Sequence, residues 1–228
     1  MKHAGKATEA ALRLIYWTLF FLLALMLASV LAKFLGGVLV HVAAGLLGLW
    51  VLFGLFCFYF FRDPEPVIPS APEVIVSPAH GKVDLIDEIE EPEFMGGPCR
   101  RVSIFLSVFD VHVQRVPVAG RLMFQKHTAG QFLNAMRTDS AAHNDNLLVG
   151  FESTERAGER VAVRLIAGLI ARRIILWTDP GATVARGERL SLIQFGSRCE
   201  LLLPLDTRVV VALGQSVRGG ETVAARRA

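Results

Sequence analysis

The sequence predicts a mainly β protein with minor helix, preceded by a two-helix transmembrane hairpin. Three observations lead to this fold class. Most of the apolar excess lies before Arg62, in a chain whose hydrophobic residues make up 53%. From Val74 onward, short runs of β-branched residues alternate with glycine-containing turns, which is typical of strands. A G-x-x-V-x-x-G-E frame occurs twice, at 181–188 and 214–221, and indicates a pair of related turn units.

Residues 1–62 predict a membrane anchor with spans at about 14–32 and 38–61. Neither run contains a charged residue, and each is long enough to cross a hydrocarbon core of about 30 Å as a helix. The short glycine-containing linker between them predicts a hairpin. A cleaved signal peptide is the alternative for the first run, but the second span that follows directly disfavours it.

Basic residues predict the side of the membrane on which the hairpin begins and ends. The linker carries only Lys33, whereas the two ends carry Lys2, Lys6, Arg13 and Arg62. Because cytoplasmic flanks are rich in Lys and Arg, we expect both ends, and the domain that follows, on the cytoplasmic side of the inner membrane.

Residues 63–228 predict one β domain with a barrel-sandwich core. Pro64 and Pro66 end the second span and start an extended linker. Strands are predicted at 74–76, 83–86, 102–105, 111–116, 161–166, 173–177 and 209–213, and a short helix at 131–137. The repeated frame resembles the turn unit of lipoyl- and biotin-carrier barrels, but the segment between its copies has no lysine. The repeat therefore predicts a lipoyl-like fold without carrier function.

Composition and charge narrow the classes of function. The net charge of +3 suits a protein beside an anionic membrane surface. Basic residues do not form a stripe with interleaved aromatics, so nucleic acid is not an expected partner. Three scattered cysteines, Cys57, Cys99 and Cys199, make neither a disulfide framework nor a metal-binding pattern. We therefore predict no metal.

The segment that carries chemistry is the Gly196-Ser197 step, which lies between two apolar runs late in the chain. A Gly-Ser step alone has little weight, because loops contain many. Glycine has no side chain, so its carbonyl can be approached closely. The Ser197 hydroxyl can attack that carbonyl if a base takes its proton, provided that nearby donors stabilise the resulting oxyanion. Such an attack would turn the amide into an ester.

Several segments in the same order resemble the short, archaeal-like form of the phosphatidylserine decarboxylase family. They cover the soluble domain nearly end to end. They are F-R-D-P at 61–64, S-P-A-H-G-K-V at 77–83, the Asp-x-His segment at 107–120, and the matching stretches at 130–135, 166–174, 187–189 and 195–198.

The resemblance implies that the chain cleaves itself between Gly196 and Ser197. The products would be a β chain, 1–196, and an α chain, 197–228, with Ser197 converted to a pyruvoyl cofactor. This group would form a Schiff base with the amine of phosphatidylserine and convert the lipid to phosphatidylethanolamine. The expected partners are a membrane phospholipid and, for each chain, the other chain of the same precursor. A homo-oligomer is a further possibility.

Two histidines are the candidate acid–base groups. His112 matches the family's Asp-x-His position and is the predicted base, since an imidazole exchanges a proton near neutrality; a structural histidine in a turn is the alternative. His80 stands where the family usually has aspartate. It can act as a hydrogen-bond acceptor or a base, or Asp84, Asp87 or Asp110 can supply the charge. The third alternative is slow or absent self-cleavage.

The lipid phosphate requires cationic or N–H partners. The candidates are Arg115, Arg172, Arg173 and Arg198. Taken singly, each is better explained as a solvated surface residue. Two other functions compete with the decarboxylase. One is a non-processing, membrane-tethered, lipoyl-like binding module, which the repeat and His80 favour. The other is a pyruvoyl enzyme for a soluble amino acid, which the membrane hairpin disfavours.

Overall fold

The computed structural model describes residues 5–31, 33, 37–133, 143–168, 173–194 and 197–227. It contains two compact units. The first is helical and spans Gly5–Arg62, and the second is a β unit that begins at Asp63.

The helical unit consists of α1, Lys6–Leu31, and α2, Val38–Phe60. Both helices are long and apolar enough to cross a membrane, and most of their side chains are exposed. The indole Nε1 of Trp50 donates to Thr18 Oγ1 at 2.9 Å and joins the two helices. Both predicted apolar runs are therefore helical, and the two helices indicate membrane association. The first helix begins earlier than the predicted span, because the segment after Gly5 is rich in alanine and other helix-forming residues.

The β unit contains fourteen strands within the described residues. They are β1 Val74–Val76, β2 Gly81–Glu91, β3 Gly97–Leu106, β4 Val113–Arg115, β5 Gly120–Thr128, β6 Asn146–Ser153, β7 Arg160–Ala167, β8 Ile174–Leu176, β9 Thr183–Val184, β10 Arg189–Ile193, β11 Ser197–Leu203, β12 Arg208–Val209, β13 Ser216–Val217 and β14 Val223–Arg226. The prediction of a mainly β protein with N-terminal apolar helices is confirmed.

One large antiparallel sheet organises the unit. Its strand order is β13-β2-β3-β11-β7-β6-β5-β9, and it curls into an open half-barrel. Two smaller sheets have the orders β1-β14-β12 and β4-β10-β8. The strand that begins at Ser197 lies in the interior of the large sheet, between β3 and β7.

The core lies against one face of the large sheet. Cys199, Leu201 and Leu203 of β11 belong to it, and the residues that alternate with them, including Arg198 and Glu200, are buried as well. Because successive side chains of a strand point to opposite faces, these two polar residues lie on the opposite face. The central strand is thus buried on both sides. One face is apolar, and the other combines Arg198 and Glu200 with Leu202, which packs in a second apolar cluster.

The repeated frame occupies the two edges of the large sheet. Val184 of β9 and Val217 of β13 are both buried in the core. The turn glycines have positive φ angles, 85° at Gly181 and 83° at Gly214, where residues with a side chain are disfavoured. The two copies therefore have the same structural role at opposite ends of the strand order.

Several element predictions need correction. The strand predicted at 111–116 covers only Val113–Arg115, because the chain before it forms a turn; that predicted at 209–213 is reduced to Arg208–Val209. The helix predicted at 131–137 does not begin at Gln131, which forms an isolated bridge with Asn144; residues 134–137 lie outside the described part. The predicted strands do not include β5, β6, β9, β10, β11, β13 and β14. Several of these are very short or lack a regular alternation of apolar and polar residues.

Burial of the thiols in the sheet leads to a testable expectation. Cys99 and Cys199 are both fully buried, and burial raises the pKa of the Cys99 thiol to about 11 and also raises that of Cys199. Since the thiolate is the reactive species, iodoacetamide at mildly alkaline pH should leave both unmodified in the folded protein. Peptide mass spectrometry would check this, with a denatured sample as the control in which both react. Labelling of Cys199 in the folded protein would contradict the buried central strand.

Candidate functional site

Main-chain pairing holds Ser197 on both sides. Ser197 is the first residue of β11, where it pairs with Leu106 of β3 and with Ala167 of β7. Both partners are fully buried. Gly196 and Phe195 lie outside the described residues. The predicted nucleophile is therefore the first residue of a central strand, and its partner on each neighbouring strand is apolar.

The chain that leads to this serine comes from β10, which pairs with β4. The N–H of Ile193 donates to the carbonyl of His112 at 3.3 Å. His112 is therefore directly opposite a residue four positions before Ser197. Strand β10, which leads to the Gly-Ser step, is therefore hydrogen-bonded to the segment that contains His112.

The orientation of the His112 imidazole follows from its hydrogen bond. The side chain is fully buried, and Nδ1 lies 2.9 Å from the carbonyl oxygen of Asp110. A carbonyl only accepts hydrogen bonds, so Nδ1 carries the proton and Nε2 is the basic nitrogen. The Asp110 carboxylate closes the turn by accepting from the N–H and hydroxyl of Ser107, at 2.8 and 2.7 Å. A main-chain carbonyl thus provides the orienting contact that a carboxylate often makes.

His80 lies in the turn between β1 and β2. The carbonyl of Pro78 accepts from the N–H of Arg115 at 2.7 Å, so this turn rests against β4. Gly81 packs so closely on β3 that a Cβ there would lie 2.2 Å from the Phe105 carbonyl oxygen. Phe105 precedes Leu106, the partner of Ser197. The fold therefore brings His80, His112 and the start of β11 to the same end of the sheet.

The carboxylates considered as substitutes for the family's aspartate have other partners. Asp84 binds Arg198 through both oxygens, at 2.8 and 2.6 Å. Asp87 binds Arg101 at 2.8 and 2.6 Å, and Asp110 holds its own turn as described above. These contacts favour a structural role for all three.

Two of the predicted phosphate contacts are engaged inside the protein. Arg198 is fully buried and also donates to Ser103 Oγ at 2.6 Å. Arg115 is 1% exposed and donates to an Asp63 oxygen at 2.5 Å and to the Pro64 carbonyl at 2.9 Å. Burial lowers the pKa of Arg115, and the charge of Asp63 opposes that shift. The expectation of solvated surface residues is wrong for both arginines, and their contacts favour a scaffold role. Arg172 lies outside the described residues.

Sequence reasoning missed two buried amides beside the site. Asn144 donates to the carbonyl of Ala167 at 2.8 Å and to that of Leu133 at 2.9 Å, which fixes the chain beside a partner of Ser197. Gln114 donates to the His112 carbonyl and accepts from the Ser191 hydroxyl, both at 2.8 Å. Buried amides are nearly always satisfied in this way. The available signal was a glutamine between β-branched and basic residues of a predicted strand, and an Asn-rich turn.

The apolar helices, and the histidines that lie near the start of β11, indicate a membrane-associated enzyme. Comparison with known proteins gives the family. Residues 53–225 match the sequence profile of phosphatidylserine decarboxylase, and the chain belongs to the phosphatidylserine decarboxylase family. Its reaction is that of a carboxy-lyase, it is made as a proenzyme, and its cofactor is a pyruvoyl group derived from a serine.

Similar proteins cover most of this chain. A phosphatidylserine decarboxylase proenzyme of Solibacter usitatus is 42% identical over 209 residues, or 92% of this chain and 94% of the relative. That of Symbiobacterium thermophilum is 43% identical over 203 residues, 89% and 90% of the two chains. That of Desulfotalea psychrophila is 42% identical over 175 residues, 77% and 81% of the two chains.

The Arg198 ion pair leads to a stability prediction. Asp84→Asn leaves a fully buried guanidinium without its counter-charge, so the free energy of unfolding should fall by about 3 kcal/mol. Urea titration followed by circular dichroism would measure it. Asp206→Asn is the matched control, because Asp206 pairs with Arg156 at an exposed position and should change stability by less than about 1 kcal/mol. Equal effects of the two substitutions would contradict the structural role of Asp84.

Proposed function

We propose that this chain decarboxylates phosphatidylserine through a pyruvoyl group formed from Ser197 after cleavage of the Gly196–Ser197 bond. Family membership supports the reaction. The observation that carries the assignment to Ser197 is its position as the first residue of a central strand, directly after a glycine. The shorter α chain, 197–228, would then begin with the cofactor.

In the proposed self-cleavage, His112 acts as the base. Its Nε2 takes the proton of the Ser197 hydroxyl, and the oxygen attacks the Gly196 carbonyl carbon. The C–N bond breaks as His112 returns the proton to the Ser197 nitrogen, and an ester forms. Loss of the Ser197 α-proton then expels the Gly196 carboxylate and leaves a dehydroalanine at the new N-terminus. Addition of water with loss of ammonia completes the conversion to the ketone.

The residues around Ser197 fit such a group. Strand pairing with Leu106 and Ala167 would hold the new N-terminus in place after the chain is cut. The α chain also contributes β12, β13 and β14, which pair with strands of both chains, so the two chains should stay associated. When present, the pyruvoyl group binds the lipid's amine and accepts electrons as carbon dioxide leaves.

We propose that His80 is compatible with processing. The contact that orients His112 comes from the Asp110 carbonyl, so a carboxylate at position 80 is not required for that purpose. His80 would act as a hydrogen-bond partner of the reacting groups at the same end of the sheet. The intact Gly196-Ser197 sequence and its flanks support retained activity.

The remaining proposals concern the surroundings of the site. The hairpin would place the domain on the cytoplasmic side of the inner membrane, where the basic flanks favour it. The matching turns at the two sheet edges support a lipoyl-like, pseudo-two-fold topology for the barrel-sandwich core. Arg172 is the proposed phosphate contact, since Arg115 and Arg198 are engaged elsewhere. A homo-oligomer is compatible with this arrangement.

Two substitutions test the proposed chemistry. Ser197→Ala should abolish both cleavage and carbon dioxide release, because the hydroxyl is both nucleophile and cofactor precursor. His112→Gln should slow cleavage by about 10²–10⁴-fold, the usual contribution of a general base. Intact-mass spectrometry and release of labelled carbon dioxide from phosphatidylserine vesicles would measure the two steps. Ser216→Ala, at an exposed edge position, is the control that should behave as wild type. A Ser197→Ala chain that still splits would refute the assignment.

The unusual His80 allows a further test. His80→Ala should slow cleavage or turnover at least about tenfold, the loss expected when one polar contact worth roughly 1.4 kcal/mol is removed. His80→Asp should retain processing, because it restores a polar acceptor at the family's usual position. The same mass and carbon dioxide measurements apply. No effect of His80→Ala on either step would exclude a role for this residue.

A further inference from the structure

One carboxylate joins the two strands that carry the reacting groups. Asp63 Oδ1 accepts from Arg115 of β4 at 2.5 Å. Its second oxygen accepts from Nε of Arg189, the first residue of β10. Arg115 and Arg189 are also main-chain partners in the β4–β10 register. Asp63 therefore closes a side-chain bridge across a strand pair that the backbone already forms.

The far ends of these two strands lead to the reaction. His112 lies three residues before Arg115, about 10 Å along an extended chain, and β10 leads from Arg189 through Ile193 to the Gly-Ser step. A register shift between Arg189 and Ser191 interrupts the ladder. Bulges weaken local pairing and redirect the strand. An additional link beside the bulge thus helps to define how the two strands approach each other.

The Arg115–Asp63–Arg189 bridge consists of charged side chains that are almost entirely buried. The side chains of Arg115 and Arg189 are 1% and 4% exposed, and that of Asp63 is 11% exposed. Burial lowers the pKa of Arg189, but its hydrogen bonds to Asp63 and Glu65 and the charges of these two carboxylates together raise it above the usual value. Both guanidinium groups stay charged near neutrality. Buried charges of this kind hold a fixed geometry, because separation from the carboxylate leaves them without solvation.

Glu65 provides a natural comparison within the same linker. It also binds Arg189, but its side chain is 59% exposed. Two residues further along the linker, the N–H of Val67 donates to the Glu221 carboxylate at 3.4 Å. Further along the linker, the Arg186 guanidinium donates hydrogen bonds to the carbonyls of Pro69 and Ala71. Among the described ion pairs of the linker, the Asp63 pairs are those that join β4 to β10.

We propose that Asp63 is a positioning residue for self-cleavage, whose carboxylate holds β4 and β10 in the geometry that brings His112 to the Gly196–Ser197 bond. This inference rests on the proposed function. Asp63 touches neither reacting group and acts through the two strands. Misplacement of a reacting group by about 1 Å can cost about 10²-fold in rate, so loss of the bridge should appear as slow maturation of a folded chain.

The test is a pulse–chase of full-length protein synthesised cell-free with phospholipid vesicles, which follows conversion of the precursor to the β chain. Asp63→Asn and Arg189→Gln should each slow conversion by about 10–100-fold. Asp63→Glu should recover part of the rate, since it retains the carboxylate. Glu65→Gln, which removes a carboxylate from the same arginine without affecting β4, should convert within twofold of wild type. Circular dichroism shows which variants are folded.

The outcomes separate this inference from the proposed function. A folded Asp63→Asn or Arg189→Gln chain that matures within twofold of wild type overturns it. If Asp63→Asn does not fold, Arg189→Gln decides, because it leaves Asp63 paired with Arg115. Equal slowing by Asp63→Glu and Asp63→Asn also counts against a charge bridge. A wild-type chain that stays whole overturns the proposed function and this inference together, whereas a wild type that matures beside an unaffected variant overturns the inference alone.

Discussion

The pairing of β11 with β3 and β7 is the constraint on which the rest of the site depends. An enzyme that makes its cofactor from an internal serine must break its own chain there and still hold the new terminus in place. Ser197 is hydrogen-bonded into the sheet through Leu106 on one side and Ala167 on the other. In the proposed maturation, main-chain pairing would survive the cut, because it does not depend on the bond that would be lost. The sheet would then substitute for the covalent link.

The buried polar groups around this strand explain how the protein keeps the site dry and ordered. Arg198 lies directly after the serine and is compensated by Asp84 and Ser103. Asn144 and Gln114 bind carbonyls beside Ser197's partner and at His112. Each is costly to bury alone and stable only with its partners. The result is a site whose geometry is determined by satisfied contacts on several strands.

The proposal that His80 is compatible with processing agrees with this arrangement. The imidazole of His112 is oriented by a carbonyl of its own turn, and that turn is closed by the Asp110 carboxylate. Such local contacts do not require a distant charge. A carboxylate at position 80 is therefore not needed to fix the tautomer of His112. The linker after α2 also contributes, since Asp63 forms ion pairs with Arg115 of β4 and with Arg189 of β10.

The sequence alone determined the two apolar helices, the β class of the domain and the Gly-Ser step, because hydrophobic length, β-branched runs and motif order are local properties. It also predicted His112 as the base and revealed the repeated turn frame. Only the tertiary structure decided what the arginines do. Arginine is a residue type that commonly binds phosphate, so Arg115 and Arg198 were candidates. Their actual partners, Asp63 and Asp84, lie 52 and 114 residues away in the chain, and only the fold brings them together. The central strand was likewise hidden, because burial on both faces removes the alternation by which a strand is recognised.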